Sequence, residues 1–168
     1  MRQRRRQNGF TLVELVLVLL VLAVCAAIAA PSLSGFTRGR ALPNAAQELM
    51  TSCNWCRVKA LSDGVEYRLN FDKAAGKWWA TKDDGSGANF VDCTEELGKE
   101  YLVPEGVTIT SVDFRTLPDN VNDQSLFIAF RPAGRTDVAT ITLNYGDRGA
   151  YVVCDTPSGL FHITESKP

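Results

Sequence analysis

Five cysteines carry the most reactive side chains of this 168-residue chain. Cys25 lies in an apolar run near the N-terminus, where a thiol is most simply a packing residue. The other four are Cys53, Cys56, Cys93 and Cys154. In an oxidising compartment four such thiols favour disulfides, with three possible connectivities. Cys53 and Cys56 lie about one turn apart on a predicted helix. A bond between them would be strained, so we expect links to the two distant cysteines.

Three other interpretations of these cysteines stay open, and the simplest is that they are unpaired, buried thiols. Cys53-Asn54-Trp55-Cys56 has the C-x-x-C spacing of redox dithiols, but no βαβ pattern surrounds it. Four thiolates also match the ligand set of a zinc site, although only one C-x-x-C pair is present rather than two. We expect structural disulfides, no metal ion and no cofactor.

Other residues with catalytic or binding chemistry lack a recognisable pattern. The acidic segment 83–96 supplies oxygen ligands for calcium but lacks the D-x-D-x-D-G order, so calcium binding stays open. His162 is the only histidine and lies in a predicted strand. No serine or cysteine nucleophile has a partner motif, and no glycine-rich phosphate loop is present. The chain is therefore predicted not to be an enzyme.

One carboxylate stands in an otherwise apolar run. Residues 10–30 contain Glu14 as their only charged residue, and the basic segment 1–9 precedes them. As a helix this run is ~31 Å long, about the thickness of one hydrocarbon core. The positive-inside rule keeps the arginines of residues 1–9 in the cytoplasm. We therefore expect a single-pass inner-membrane anchor with the C-terminal domain in the periplasm.

Neither a cleaved signal peptide nor a plain anchor explains Glu14. Ala27-Ile28-Ala29 has the A-x-A form of a signal cleavage site, but the apolar run exceeds the usual ~7–15 residues. A plain anchor explains the length, yet a carboxylate in the membrane costs about 2.5–3.5 kcal/mol on insertion scales. Glu14 therefore requires a partner inside the membrane.

The segment Gly9-Phe10-Thr11-Leu12-Val13-Glu14 resembles the processing site of type IV pilins and type II secretion pseudopilins. The resemblance implies that a prepilin peptidase cuts between Gly9 and Phe10, and that Phe10 is then N-methylated. It also implies that Glu14, now the fifth residue, meets the N-terminal amine of a neighbouring subunit and sets the register of the filament. Pro31 falls where these families carry a helix-kinking proline.

Residues 31–63 are predicted to form a periplasmic helical stem. Pro31 and Pro43 should each bend or break the helix. Beyond Pro43, apolar residues recur at steps of three and four and predict a helix that packs on a downstream sheet. These residues are Leu42, Ala46, Leu49, Cys53, Cys56 and Ala60. The stem is predicted to end at residues 62–64.

Residues 64–168 are predicted to form a β-rich domain. Val65, Tyr67, Leu69 and Phe71 alternate with polar residues and predict a strand, with a hairpin partner at 77–82. The other predicted strands are 107–114, 126–130, 139–145, 150–155 and 160–164. Trp78 and Trp79 should point to opposite faces. A helix followed by mostly antiparallel strands predicts the α+β class.

A second resemblance covers the C-terminal part. The segment 128–135, with Phe130, Pro132, Gly134 and Arg135, is similar to the F-x-P-x-G-R segment of the GspH/FimT family. The resemblance implies a type IV pilin-like fold with two antiparallel sheets beside the helix. It implies a minor pseudopilin of the type II secretion pseudopilus, or alternatively a FimT-like minor pilin of type IV pili. The implied partners are other pseudopilins or pilins, the peptidase, an inner-membrane assembly platform, and lipid before assembly.

Nucleic acid is an unlikely partner on charge grounds. Without the four arginines of residues 1–9, 14 basic and 19 acidic residues remain, a net charge of −5. FimT-like pilins of DNA uptake carry a Gly-Arg-x-Arg element, and the equivalent here is Gly159-Leu160-Phe161-His162. Only Arg131, Arg135 and Arg148 remain as a possible basic patch, and attraction to phosphates is expected to be weak.

Overall fold

The structure, a computed structural model, describes residues 12–115 and 126–166, without the side chains of 28–38. This part of the chain contains one helix followed by nine strands. The elements are α1 (Leu12–Asp63), β1 (Tyr67–Asp72), β2 (Lys77–Asp83), β3 (Phe90–Asp92), β4 (Tyr101–Leu102), β5 (Val107–Phe114), β6 (Leu126–Phe130), β7 (Ala139–Tyr145), β8 (Arg148–Val153) and β9 (His162–Thr164). The chain divides into two compact units, Met1–Gly39 and Arg40–Pro168.

Helix α1 runs from Leu12 to Asp63 and remains helical at Pro31 and Pro43. The prediction that these prolines break the helix is therefore wrong. A proline inside a helix removes one hydrogen bond, and the buried face that begins at Leu42 offsets this loss at Pro43. A kink at Pro31 stays a prediction. The helix ends as predicted, because Gly64 adopts a φ of 71° and its N–H bonds to the carbonyl of Ala60 at 3.1 Å.

The second half of α1 buries the predicted apolar face. All six predicted positions are at most 5% exposed, and Ala45 joins them. Small residues at three of these positions let neighbouring elements approach the helix closely. In the described residues, no helix is both long enough and apolar enough to count as a membrane-crossing segment.

The first sheet has the order β3-β2-β1-β6, and β4 also pairs with β2. All pairs are antiparallel. The predicted hairpin is present, with Gly76 at a φ of 63° in its turn. Strand β6 pairs with the other side of β1, so that Leu69 lies opposite Ile128. Alternate residues of β1 and β2 therefore point into the core.

The second sheet has the order β5-β7-β8-β9 and is also antiparallel. A bulge shifts its register between Ile109 and Ser111. Both sheets and the helix contribute to one hydrophobic core. Its largest fully buried side chains are Trp78, Tyr67, Phe130, Leu49, Leu69, Ile128, Ile141, Leu143, Val152, Val153, Cys53 and Cys56. This architecture confirms the predicted α+β fold with two sheets.

Strands β3 and β4 were not predicted from the sequence. They have three and two residues, too few for an alternating pattern to register. Both pair with the same edge of β2. Tyr101 in β4 stacks on Trp78 with ring centroids 4.4 Å apart, and the Trp78 side chain is 1% exposed. Trp79 points to the opposite face, as predicted, and is half-buried.

Replacing Leu49 by alanine tests the packing of α1 on the sheets. Leu49 is fully buried, so we expect the free energy of unfolding to fall by about 2–5 kcal/mol through lost transfer energy and a residual cavity. Leu61 lies on the same helix and is 51% exposed, so Leu61→Ala is the matched control, with an expected loss below about 1 kcal/mol. Urea unfolding of the full chain in mild detergent measures both. Equal losses would contradict the buried face.

Candidate assembly surface

The first half of α1 presents apolar side chains in every direction. Each described side chain from 12 to 27 is exposed. The large apolar ones are Leu12, Val13, Leu15, Val16, Leu17, Val18, Leu19, Leu20, Val21, Leu22 and Val24. An apolar surface around a whole helix is typical of a helix that lies in lipid or among other helices.

Glu14 lies in the first turn of α1 as described and is exposed among these residues. A negative charge near a helix N-terminus is favourable because the macrodipole is positive there. Such a carboxylate in apolar surroundings attracts a cationic partner. Gly9 and Phe10, the predicted cleavage and methylation residues, lie outside the described residues.

At its other end, α1 holds the C-terminal part of the chain through Asn54 and Arg57. The Asn54 amide donates to the carbonyl of Phe161 at 3.0 Å and accepts from the Phe161 N–H at 2.9 Å. The Arg57 guanidinium donates to the carbonyls of Gly159 at 2.6 Å and Ser158 at 2.7 Å. These bonds to backbone groups, two of them donated by a charged side chain, fix the segment 156–161 on the helix.

The turn between β6 and β7 also bonds to the segment 156–161. The Thr136 N–H donates to the carbonyl of Pro157 at 2.7 Å, and Arg57 Nη1 lies 3.5 Å from the Thr136 hydroxyl. Asp137 closes the turn by accepting from the Ala129 N–H at 2.9 Å. We call Asn54, Arg57, the turn 131–137 and the segment 156–161 the helix–loop junction. It gives the predicted F-x-P-x-G-R segment a structural role.

The roles of Asn54 and Arg57 were not predicted from the sequence. Their partners are backbone carbonyls and N–H groups far along the chain, which no residue pattern reveals. Two polar residues three apart on a helix otherwise look like a solvated face.

The possible basic patch is weakened by pairing within the chain. Arg131 Nη1 lies 2.8 Å from Asp137 Oδ1, so its charge is partly neutralised. Arg148 lies over the Tyr145 ring, 5.6 Å from its centroid, while Arg135 is exposed. His162 is exposed as well, with Nε2 3.6 Å from Asp155 Oδ2.

The four candidate disulfide cysteines are buried and are free thiols in this structure. Burial raises the pKa of each thiol, that of Cys93 to about 11. A catalytic C-x-x-C requires a lowered pKa, so these values count against redox catalysis at Cys53 and Cys56. Among the described residues, no group of three or more His, Cys, Asp or Glu is placed to hold a metal ion.

The acidic loop after β2 uses its carboxylates on its own backbone. Asp83 Oδ1 accepts from the N–H groups of Gly85 and Gly87, both at 3.0 Å. Asp84 Oδ1 accepts from the Ser86 N–H at 2.9 Å, and hydrogen bonding to Ser86 lowers the pKa of Asp84. These bonds join the carboxylates of Asp83 and Asp84 to the backbone of their own loop.

Residues 4–30 match the prokaryotic N-terminal methylation motif, and residues 45–159 match the family described as type II transport protein GspH. The second match covers more than half of the chain. The chain belongs to the GspH family. Its match spans the helix–loop junction from Asn54 to Gly159. No curated protein shows significant similarity to the chain.

Solved structures of the minor pseudopilin EpsH from the type II secretion system of Vibrio cholerae are similar to this GspH-family chain. One has a TM-score of 0.60 at 12% identity and covers 76% of this chain and 99% of its own. Another has a TM-score of 0.59 at 9% identity, covering 76% and 96%. These likenesses support the two-sheet fold.

Family membership confirms the predicted family and its assignment to type II transport. The comparisons give no support to the FimT-like alternative.

Replacing Arg57 by alanine tests the helix–loop junction. The change removes two charge-assisted hydrogen bonds, and we expect the free energy of unfolding to fall by about 1.5–3 kcal/mol. The amide of Thr136, which bonds to Pro157 in the segment that Arg57 holds, should exchange faster with solvent.

Two controls accompany this variant. Arg57→Lys keeps the charge but not the fork of donors, so it should restore only part of the stability. Arg135→Ala removes an exposed arginine and should change stability by less than about 0.5 kcal/mol. An Arg57→Ala protein as stable as the Arg135→Ala protein would refute the role of Arg57.

Proposed function

We propose that this GspH-family chain is a minor pseudopilin, a membrane-anchored structural subunit and not an enzyme. It assembles with other pseudopilins into a periplasmic pseudopilus that supports protein export across the outer membrane. One observation carries the proposal: residues 12–27 of α1 are exposed and apolar on all sides, with Glu14 as their only charge, and the same helix continues into a folded GspH domain.

The apolar half of the helix needs two successive environments. Before assembly, lipid covers the exposed leucine and valine side chains, and residues 10–30 act as the anchor. After assembly, the corresponding helices of other pseudopilins replace the lipid. Packing between apolar helices gives little preference for one axial position over another, since lipid tails are as apolar as leucine.

We infer that Glu14 gives the helices a preference for one axial position. The methylation-motif match at residues 4–30 supports cleavage between Gly9 and Phe10 by a prepilin peptidase. Cleavage creates a cationic amine at Phe10, which remains a cation after N-methylation. An amine on one subunit and the Glu14 carboxylate on its neighbour then form an ion pair that offsets the cost of a carboxylate in an apolar environment. An inner-membrane assembly platform is the expected site of this step.

The globular domain serves the assembly as a rigid body, not as a catalyst or a nucleic-acid reader. The helix–loop junction holds the segment 156–161 to α1 and, through Thr136, the turn 131–137 to that segment. Arg131 is paired with Asp137, and the mature charge balance is acidic, so DNA is an unlikely partner.

Mass spectrometry of the protein from membranes tests the processing step. We expect the N-terminal peptide to begin at Phe10 and to carry a methyl group on its amine. Gly9→Val, which places a branched side chain at the cleavage site, should leave residues 1–9 attached. A mature chain that begins at Ala30 would instead identify an ordinary signal peptide and overturn the proposal.

Replacing Glu14 by glutamine tests the assembly step. The variant keeps the size of the side chain but not its charge, so we expect normal processing and membrane insertion. Cross-linking to other pseudopilins and export should fall roughly tenfold or more, because a charge-assisted bond worth about 1.5–3 kcal/mol is lost.

Glu48→Gln is the matched control, since Glu48 is an exposed glutamate on the same helix. It should leave cross-linking and export unchanged. A Glu14→Gln protein that assembles as well as this control would refute the role of Glu14.

A further inference from the structure

Cys53 lies on the helix face that holds the C-terminal segment. It directly precedes Asn54 and lies one turn before Arg57, and both of these side chains bond to residues 158–161. Residues four apart share a helix face, so Cys53 and Arg57 point the same way. The Cys53 side chain is fully buried.

Cys154 contacts the same C-terminal segment. Its Sγ lies 3.2 Å from the carbonyl of Thr156 and 3.7 Å from the carbonyl of Gly159. That Gly159 carbonyl also accepts the 2.6 Å bond from Arg57. The Cys154 thiol and the Arg57 guanidinium therefore share an acceptor, and Cys53 lies one helical turn from Arg57.

Cys56 faces a different segment, which contains Cys93. A Cβ built on Gly98 would lie 2.6 Å from the Cβ of Cys93 and 2.7 Å from the Trp55 ring, so these three residues are in close contact. Lys59 Nζ lies 3.4 Å from Glu95 Oε1. The helix residues on both sides of Cys56 thus contact residues 93–98.

We propose that the domain matures with two disulfides, Cys53–Cys154 and Cys56–Cys93. The first ties α1 to the end of β8, and the second ties α1 to the segment that follows β3. The proposal rests on the periplasmic location of the domain in the proposed function, because disulfides persist in oxidising compartments.

Each bond forms by thiol–disulfide exchange with a disulfide oxidant. Two cysteine thiols lose two electrons and two protons as the S–S bond forms. The oxidant's own S–S bond breaks and takes up both, giving two thiols. In the cell the oxidant is a protein disulfide of the periplasm, and in the experiment it is oxidised glutathione.

The electrostatics of the thiols agree with this pairing. After burial, the charges of Cys56 and Cys154 raise the pKa of Cys53, and the charge of Cys93 raises the pKa of Cys56. A Cys53–Cys56 bond would join residues three apart on a helix that is regular through both, which strains the bond. The raised pKa values also mean that few thiolates exist once the domain has folded, so oxidation belongs to folding.

Peptide mapping of the full chain tests the proposal. The chain is unfolded, reduced, and refolded in detergent with a glutathione redox mixture, and free thiols are then alkylated. Trypsin leaves Cys53 and Cys56 in one peptide, and chymotrypsin separates them by cleaving after Trp55. We expect the loss of four hydrogen atoms from these cysteines, and peptides that link Cys53 to Cys154 and Cys56 to Cys93.

Any other outcome overturns the proposal. Four alkylated thiols would show that no bond forms, and a Cys53–Cys56 bond or crossed links would show a different pairing. Reduction of the linked protein should lower its Tm by roughly 5–15 °C.

Two double variants serve as matched controls. Cys53→Ala with Cys154→Ala keeps a proposed pair and should still form one intramolecular bond. Cys53→Ala with Cys93→Ala keeps two cysteines of different pairs, and its bond should form at least tenfold more slowly. Equal rates would refute the pairing. The assay needs no secretion or assembly, so a failure of the Glu14 experiments and a failure here are distinguishable.

Discussion

The burial of one face of α1 between Leu42 and Ala60 is the constraint on which the rest of the structure depends. Both sheets complete their core against this face, and its small residues allow close approach. A regular helix also fixes every other direction around its axis. Because Leu49 and Cys53 face the core, the directions of Asn54 and Arg57 around the helix axis are also fixed, and the C-terminal segment bonds to both side chains there.

The junction that results explains why distant parts of the domain depend on one another. The chain returns from β6 in the first sheet to β7 in the second through the turn 131–137. Thr136 ties that turn to Pro157, and Arg57 ties the following carbonyls to the helix. The same group of bonds to α1 therefore holds both the turn 131–137, which connects the two sheets, and the segment 156–161. Gly134 adopts a φ of 76° in this turn and lies against Leu61, so a larger residue there would be strained and would crowd the helix.

The sequence predicted those features that depend on local patterns. Strands β5, β6 and β7 have the predicted bounds, because each is a run of five or more residues that is rich in apolar and β-branched side chains. The N-terminal motif is also local, and the family match confirms it as a motif. Strands β3 and β4 were not predicted, because they are strands through their pairing with the edge of β2 and not through their own composition. Pro43 was expected to bend or break α1, yet the helix continues through it. The packing of the buried residues around Pro43 outweighs the lost hydrogen bond. The roles of Arg57 and Asn54 could not be predicted, because their partners are backbone groups about a hundred residues away in the sequence.

The contrast between the two halves of α1 bears on how a filament subunit finds its register. The buried half is specific, because each position meets a different neighbour. Apart from Glu14 and Cys25, the exposed residues 12–27 are leucine, valine and alanine with similar surfaces, and sliding such helices along one another changes the contact area little. A single carboxylate changes this balance. In the proposed assembly one axial offset places an amine against Glu14, and every other offset loses this ion pair, which offsets a cost of about 2.5–3.5 kcal/mol for a carboxylate in the membrane. That difference corresponds to a preference of about a hundredfold for the paired offset. A second charge in the run would allow a second favourable offset, so the isolation of Glu14 matters as much as its presence.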